Sequence, residues 1–124
     1  MTTGTEARPT QRLGSWGEEL AAFHLERRGM TVLDRNWRCE HGEIDIVALD
    51  GDCLVVCEVK TRRGLAHGGP VHAIGWAKLL RLRRLAAAWL AVHDRPVAGV
   101  RIDVVGIVRP PTGPAELVHL PGVQ

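Results

Sequence analysis

Three cysteines, Cys39, Cys53 and Cys57, are all that 124 residues supply. An odd, small number excludes the disulfide scaffold of a stapled secreted mini-domain. A zinc site fares no better. Cys39, His41, Cys53 and Cys57 match no usual zinc-ligand spacing, and Cys57 sits in an apolar run as a small hydrophobe. Met1 to Arg12 is polar, with no apolar core of a signal peptide, and is expected to be a flexible tail. No run suits a membrane: the most apolar one, Leu85 to Val92, follows Arg81, Arg83 and Arg84 and falls far short of the ~20 residues a span needs. A formal net charge of +2 decides little by itself, and no internal repeat is visible. What remains is one cytoplasmic domain over residues 13–124, with 45% hydrophobic and 24% charged residues, long enough to bury its own core.

Ser15 can cap a helix from Trp16 to Arg28, with Glu18 and Glu19 in its first turn and Gly29 to end it. Trp16, Leu20 and Phe23 make an apolar stripe at helical spacing. Met30 to Trp37 reads as a strand. Gly42 opens a second, which ends at the turn residues Asp50-Gly51-Asp52, and Cys53 to Lys60 is a third. Gly64 to Pro70 is loop-like. A long helix then starts at Val71 or Ala73 and runs to His93, its apolar face formed by Leu79, Leu82, Leu85, Ala86, Trp89 and Leu90. Val100 to Val108 is a core strand, and Glu116 to Leu120 a short edge strand. The order α-β-β-β-α-β implies an α/β fold, a mixed β-sheet flanked by helices.

The chemistry concentrates in the hairpin. Side chains alternate along a strand, so Glu43 and Asp45 share one face of the second strand, and Glu58 and Lys60 share one face of the third. A two-residue loop at Gly51-Asp52, suited to a type II′ turn, pairs Asp45 with Glu58. A loop at Asp50-Gly51 pairs Glu43 with Glu58 instead. Either even-length loop gathers all four charges on one face. Two carboxylates set opposite each other amid Ile44, Ile46, Val47, Leu54, Val55, Val56 and Val59 repel unless a cation or a shared proton compensates. Lys60 supplies one positive charge. Hard carboxylate oxygens select Mg²⁺ or Mn²⁺ for the rest. Such a metal beside a lysine suits phosphodiester hydrolysis.

Asp45 followed by Glu58-Val59-Lys60 resembles the PD-(D/E)xK motif of restriction-endonuclease-like enzymes. The longer strings Gly42-Glu43-Ile44-Asp45-Ile46-Val47-Ala48 and Val56-Cys57-Glu58-Val59-Lys60-Thr61-Arg62 resemble the narrower UPF0102 family, also called the YraN family. Gly17-Glu18, Arg35-Asn36, Lys78 and Arg101-Ile102-Asp103-Val104-Val105 fit the same pattern, so the likeness covers residues 13–108. Cys57 departs from it, standing where a bulky apolar residue is usual. The resemblance implies a three-layer restriction-endonuclease-like core, similar to archaeal Holliday-junction resolvases. It also implies a metal-dependent nuclease acting on DNA, branched or structured DNA included. By that likeness Asp45, Glu58 and the Val59 carbonyl hold Mg²⁺ or Mn²⁺, Lys60 acts on the nucleophile or transition state, and Glu18 joins the catalytic set.

Glu43 is an accessory candidate that can equally pair with Lys60 or an arginine, and Glu19 rivals Glu18. Lys78, Arg81 and Arg84 fall on one helical stripe, and with Arg62 they are the candidate nucleic-acid contacts. Asp103 is expected to pair with an arginine. Trp76 and Trp89 are expected in the core, and His24, His67, His72, His93 and His119 show no partner pattern. The rival function is a nucleic-acid-binding domain of the same fold with little activity of its own. The sequence leaves a homodimer open.

Overall fold

The computed structural model describes residues 9–64 and 74–124. Two helices, α1 (Pro9–Arg27) and α2 (Trp76–His93), enclose a five-stranded sheet of β1 (Thr31–Cys39), β2 (Gly42–Asp50), β3 (Cys53–Arg63), β4 (Gly99–Arg109) and β5 (Glu116–Leu120). The spatial order is β1-β2-β3-β4-β5. Only β3 and β4 run parallel, joined by the α2 crossover, and the other neighbours are antiparallel. The expected α/β architecture of three layers with a mixed sheet is therefore present, with β5 completing the order α-β-β-β-α-β-β.

Each sheet face has its own core. Ala21, Ala22 and Leu25 of α1 pack on Ile46, Ala48, Val55, Cys57, Val105 and Ile107. Leu79, Leu82, Leu85, Ala86 and Trp89 of α2 pack on Ile44, Val47, Leu54, Val56 and Ile102. Both faces of β3 and β4 are covered, which is why these strands read as nearly continuous apolar runs.

Helix α1 begins at Pro9, so Ser15 lies inside the helix and is not its cap. Proline fits a first helical turn, where its missing N–H costs nothing. The expected tail over residues 1–12 thus gives way to helix from Pro9, and residues 1–8 lie outside the described residues. The stripe on α1 also shifts. Phe23 is 57% exposed, because the small residues Gly17, Ala21 and Ala22 let the helix sit close on the sheet along a different line. Gly29, at φ +91, ends the helix as expected. The described part of α2 starts at Trp76. That residue is exposed, against the expectation of a core tryptophan, whereas Trp89 is buried. The other proposed starts of this helix, and most of the Gly64–Pro70 loop, lie outside the described residues. Asp94 closes α2 in the left-handed region, donating its N–H to the Leu90 carbonyl at 2.8 Å. Among the described residues no helix is long and apolar enough to cross a membrane.

Candidate functional site

The β2–β3 hairpin has the Gly51-Asp52 loop. Asp50 pairs with Cys53, and the ladder runs to Ile46–Cys57. Gly51 takes φ +63 and Asp52 does not take a positive value, as a type II′ turn requires. Past Ile46 and Cys57 the ladder stops, and the two strands part at Asp45 and Glu58.

The parting has a visible cause in β2. Strand β3 alternates regularly: Val55, Cys57 and Val59 pack toward α1, and Leu54 and Val56 toward α2. Glu58 and Lys60 therefore fall on the α2 side. In β2, by contrast, Ile44 and Val47 join the α2 cluster while Ile46 and Ala48 join the α1 cluster. The strand changes face between Ile44 and Val47, with Asp45 at the crossing. This corrects the expectation that Glu43, Asp45, Glu58 and Lys60 share one face, which assumed uninterrupted alternation. Glu43 lies on the opposite side from Glu58 and pairs with exposed Arg38 on β1 at 3.4 Å, not with Lys60. Asp45 commits to neither face. Its carboxylate turns into the gap between the strands, where Oδ2 accepts the Val59 N–H at 2.8 Å. In a strand the N–H and C=O of one residue leave on the same edge, so the Val59 carbonyl is directed into the same gap.

The electrostatics of this gap are unfavourable. Burial raises the Asp45 carboxyl from 3.8 to about 7; Glu58, Glu18 and Glu43 push it the same way, and only the Val59 N–H opposes them. Glu18 projects from α1 toward the same place. Burial raises it as well, the Asn36 side chain offsets part of the effect by hydrogen bonding, and Glu43 and Glu58 add repulsion. Asn36 reaches this position from a left-handed conformation in β1, φ 53, which asparagine tolerates better than most residues. Helix α1 brings Glu18 here because Gly17 lies directly against Thr61 of β3, with no room for a methyl group. Glu19, the rival candidate, is exposed.

Glu58 has found a partner: Lys78 Nζ of α2 lies 2.5 Å from Oε2. Lys78, expected on a nucleic-acid-facing stripe, is thus an ion-pair partner, half-buried beside the carboxylate cluster. The signal in the sequence was the two-residue step from Val56 to Glu58, which directs Glu58 toward α2. Among the described residues Lys60 makes no ion pair. Arg81 and Arg84 are exposed, with the Arg81 side chain beside Gly42 at the start of β2. Arg62 is half-buried on the outer part of β3.

Asp45 Oδ1 has no partner among the described residues, and the Val59 carbonyl shares its gap; the Glu58 carboxylate, on the α2 side, is near enough to raise the Asp45 carboxyl. Among the described residues no three acidic, histidine or cysteine side chains form a ready metal cage. Two carboxylates and a carbonyl nevertheless fit Mg²⁺ or Mn²⁺, which keep several water ligands and need few from protein.

A family model described as "Uncharacterised protein family UPF0102" matches residues 17–107. The chain belongs to the UPF0102 family. The match runs from the Gly17 contact with Thr61 through the hairpin to Ile107 of β4, so every element that shapes the gap lies inside it. Relatives named UPF0102 protein extend the likeness to nearly the full length. One from a Nocardioides species is 54% identical over 99% of both chains. One from an Arthrobacter species is 56% identical over 90% of this chain and 94% of its own. One from Streptomyces coelicolor is 52% identical over 97% of this chain and 94% of its own.

A second polar cluster lies away from the gap. Asp103 is the one buried charged residue described, fully enclosed. It accepts from Arg101 Nε at 2.8 Å and its second guanidinium nitrogen at 3.1 Å, from His119 Nε2 at 2.8 Å and from the Gly122 N–H at 3.0 Å. Burial alone would raise its carboxyl, but these donors bring it below the ordinary value. Arg101 also reaches Asp50 at 3.0 Å, and His24 lies 3.0 Å from His119 Nδ1. The expected arginine pairing of Asp103 is thus present. His24, His93 and His119, by contrast, do have partners: β5 lying alongside β4 brings His119 to His24, and His93 stacks on Trp89 with Nδ1 2.8 Å from the Trp89 carbonyl. His67 and His72 lie outside the described residues.

Proposed function

We propose that this chain is a metal-dependent nuclease that hydrolyses phosphodiester bonds in DNA, in the cytoplasm, with Mg²⁺ or Mn²⁺ as cofactor. The observation that carries the reading is Asp45: a half-buried carboxyl raised to about 7, among three other acids, at the place where β2 and β3 part. A fold keeps such a group where function needs it. Asp45, Glu58 and the Val59 carbonyl would hold the metal, which when bound supplies Lewis-acid polarisation of the phosphate and a more acidic water. The Val59 N–H fixes the Asp45 carboxylate and leaves Oδ1 for a ligand. Lys60, two residues beyond Glu58 on the same face, is the cation for the developing charge on the phosphate. Glu18, whose carboxyl is raised above its ordinary value chiefly by burial, is placed to hold or move a proton at its carboxyl oxygen. Arg62, Arg81 and Arg84 would carry the phosphate backbone.

The test is incubation of the purified chain with linear, single-stranded and four-way-junction DNA in the presence of Mg²⁺ or Mn²⁺. Cleavage should require the metal and vanish in Asp45→Asn. Metal-independent cleavage, or none on any substrate, refutes the reading. The rival, a DNA-binding domain that cuts poorly alone, draws on the Lys78–Glu58 pair, which keeps one metal-ligand candidate engaged. Binding of junction DNA without cleavage under the same conditions would favour it.

A further inference from the structure

Parallel strands β3 and β4 end side by side on two arginines, Arg63 and Arg109, in direct register. Alternation from Val59 along β3, and from Val105 and Ile107 along β4, puts both side chains on the α1 face. Trp16 of α1 supports this for Arg109, whose guanidinium lies 5.3 Å from the indole centroid. Adjacent strands are about 4.8 Å apart, so two permanently charged groups leave the sheet as close neighbours. Among the described residues neither forms an ion pair. Like charges so placed repel, as the carboxylates at Asp45 do.

Here too the repulsion borders a space. Arg63, Gly64, Arg109, Pro110 and Pro111 line a cleft of about 450 Å³, within the usual range of ligand sites. Its rim is fixed. Gly64 turns at φ +73 and donates its N–H to the Arg109 carbonyl at 3.0 Å, and the two prolines restrict the far wall. Stacking on Trp16 holds the Arg109 guanidinium in place.

We propose that this cleft is a phosphate subsite for a nucleic-acid strand, gripped by Arg63 and Arg109. The identity of the strand rests on the nuclease reading; the anion site rests on the arginines and the cleft. Arg63 lies four residues beyond Val59, roughly 13 Å along the strand at about 3.3 Å per residue. That distance corresponds to about four base-pair steps of duplex. A phosphate bound here would set the register of the strand relative to the gap at Asp45. It would be either an internal diester or a terminal monoester, whose second negative charge makes it the better match for two arginines.

The experiment uses the full chain in EDTA, so that no metal-dependent cutting intervenes. Binding of one oligonucleotide is followed by fluorescence anisotropy with a 5′-phosphate, a 3′-phosphate or neither, and binding of inorganic phosphate by NMR. The double variant Arg63→Ala/Arg109→Ala should lose the inorganic phosphate shifts. It should also flatten the salt dependence of oligonucleotide binding by about 0.7–0.9 log units per phosphate released. Loss of a preference for one phosphorylated end identifies a terminal phosphate, and equal weakening of all three oligonucleotides an internal one. Arg63→Lys/Arg109→Lys keeps the charge and should keep the salt slope, which separates loss of the site from loss of the fold. Unchanged binding and slope in the alanine variant, or no binding of any probe by the parent, overturns the proposal. Absence of cleavage when Mg²⁺ is restored would refute the nuclease reading alone and leave the binding result standing.

Discussion

Replacing Asp45 by asparagine should make the metal-free protein more stable, and by an amount that depends on pH. The carboxyl titrates at 3.8 in ordinary surroundings and at about 7 in the fold, with burial the largest cause. Between those values the folded chain holds a proton that the unfolded chain has released, so stability falls as pH rises through that window. A separation of about three pH units, at about 1.36 kcal/mol each, gives an upper bound of roughly 4 kcal/mol of lost stability at pH 8. Asparagine keeps an acceptor for the Val59 N–H and removes the charge. At pH 8 the variant should gain about 2–4 kcal/mol, and near pH 4 it should match the parent. For a domain of this size that is on the order of 10 °C in melting temperature. Urea melts from pH 4 to 8 in EDTA would trace the difference. Millimolar Mg²⁺ or Mn²⁺ should then stabilise the parent and leave the variant unchanged. An asparagine variant that is destabilised, or whose difference from the parent is flat across pH, would refute the reasoning: Asp45 would then be a structural carboxylate, ionised and satisfied in the fold.

Lys78→Met should lower metal-free stability by about 1–3 kcal/mol, because Glu58 loses its charged partner, and should tighten Mn²⁺ binding several-fold, measured by electron paramagnetic resonance. Weaker Mn²⁺ binding would mean that Lys78 does not compete with the metal. Gly17→Ala forces a methyl group onto Thr61 and should cost about 1–3 kcal/mol in denaturant melts. Thr61→Ala in the same chain should recover part of that, and a full loss in the double variant would count against the contact. Asp103→Asn leaves Arg101 and His119 facing a neutral amide and should cost about 3–5 kcal/mol at pH 7. The loss should shrink in acid, since Asp103 has a lowered carboxyl whose contribution disappears as pH falls through its folded value.

Much of the fold was legible because local signals agreed. Gly29 stops α1, Gly51 turns the hairpin, and the leucines of α2 repeat at helical spacing onto a sheet whose central strands carry long apolar runs. Helix starts were harder to read. Ser15 is a good cap, but nothing in its neighbourhood stops the helix from continuing back to Pro9. Exposure of Phe23 could not be read from side-chain type, because small residues on α1 define the contact line, and Trp76 stands exposed at the first described turn of α2. In the candidate site the turn left two even-length pairings open, of which the fold takes the Gly51-Asp52 one, and the position of Glu58 and Lys60 followed from alternation. The change of face in β2 at Asp45 did not, since it depends on how two helices compete for Ile44 and Ile46 from opposite sides. Lys78 and Asn36 were named for a charged stripe and a family pattern. Their roles beside Glu58 and Glu18 needed the three-dimensional packing.

Asp45 and Asp103 set the strongest constraint on any purely structural reading. Both are aspartates on central strands of one sheet, and both pay for desolvation. Around Asp103 the chain arranges a guanidinium, an imidazole and a backbone N–H, and the carboxyl falls below its ordinary value. Around Asp45 it arranges one N–H and three further acids, and the carboxyl rises to about 7. The fold therefore has the means to neutralise a buried aspartate and uses them at one position only. Lys78 is engaged with Glu58, and no cation is among the main influences on the Asp45 carboxyl, which leaves Asp45 as the uncompensated member of the cluster. A lone frustrated carboxylate could be a local defect. One that coincides with a ladder ending, a strand changing face, a left-handed asparagine and a helix seated tightly enough to bring in a second acid needs several independent features to agree. Such agreement at the expense of stability is expected of a site kept for ligand binding. On the proposed reading the missing charge is positive and the donors around it are oxygens, the kind of set that a hard divalent cation would complete.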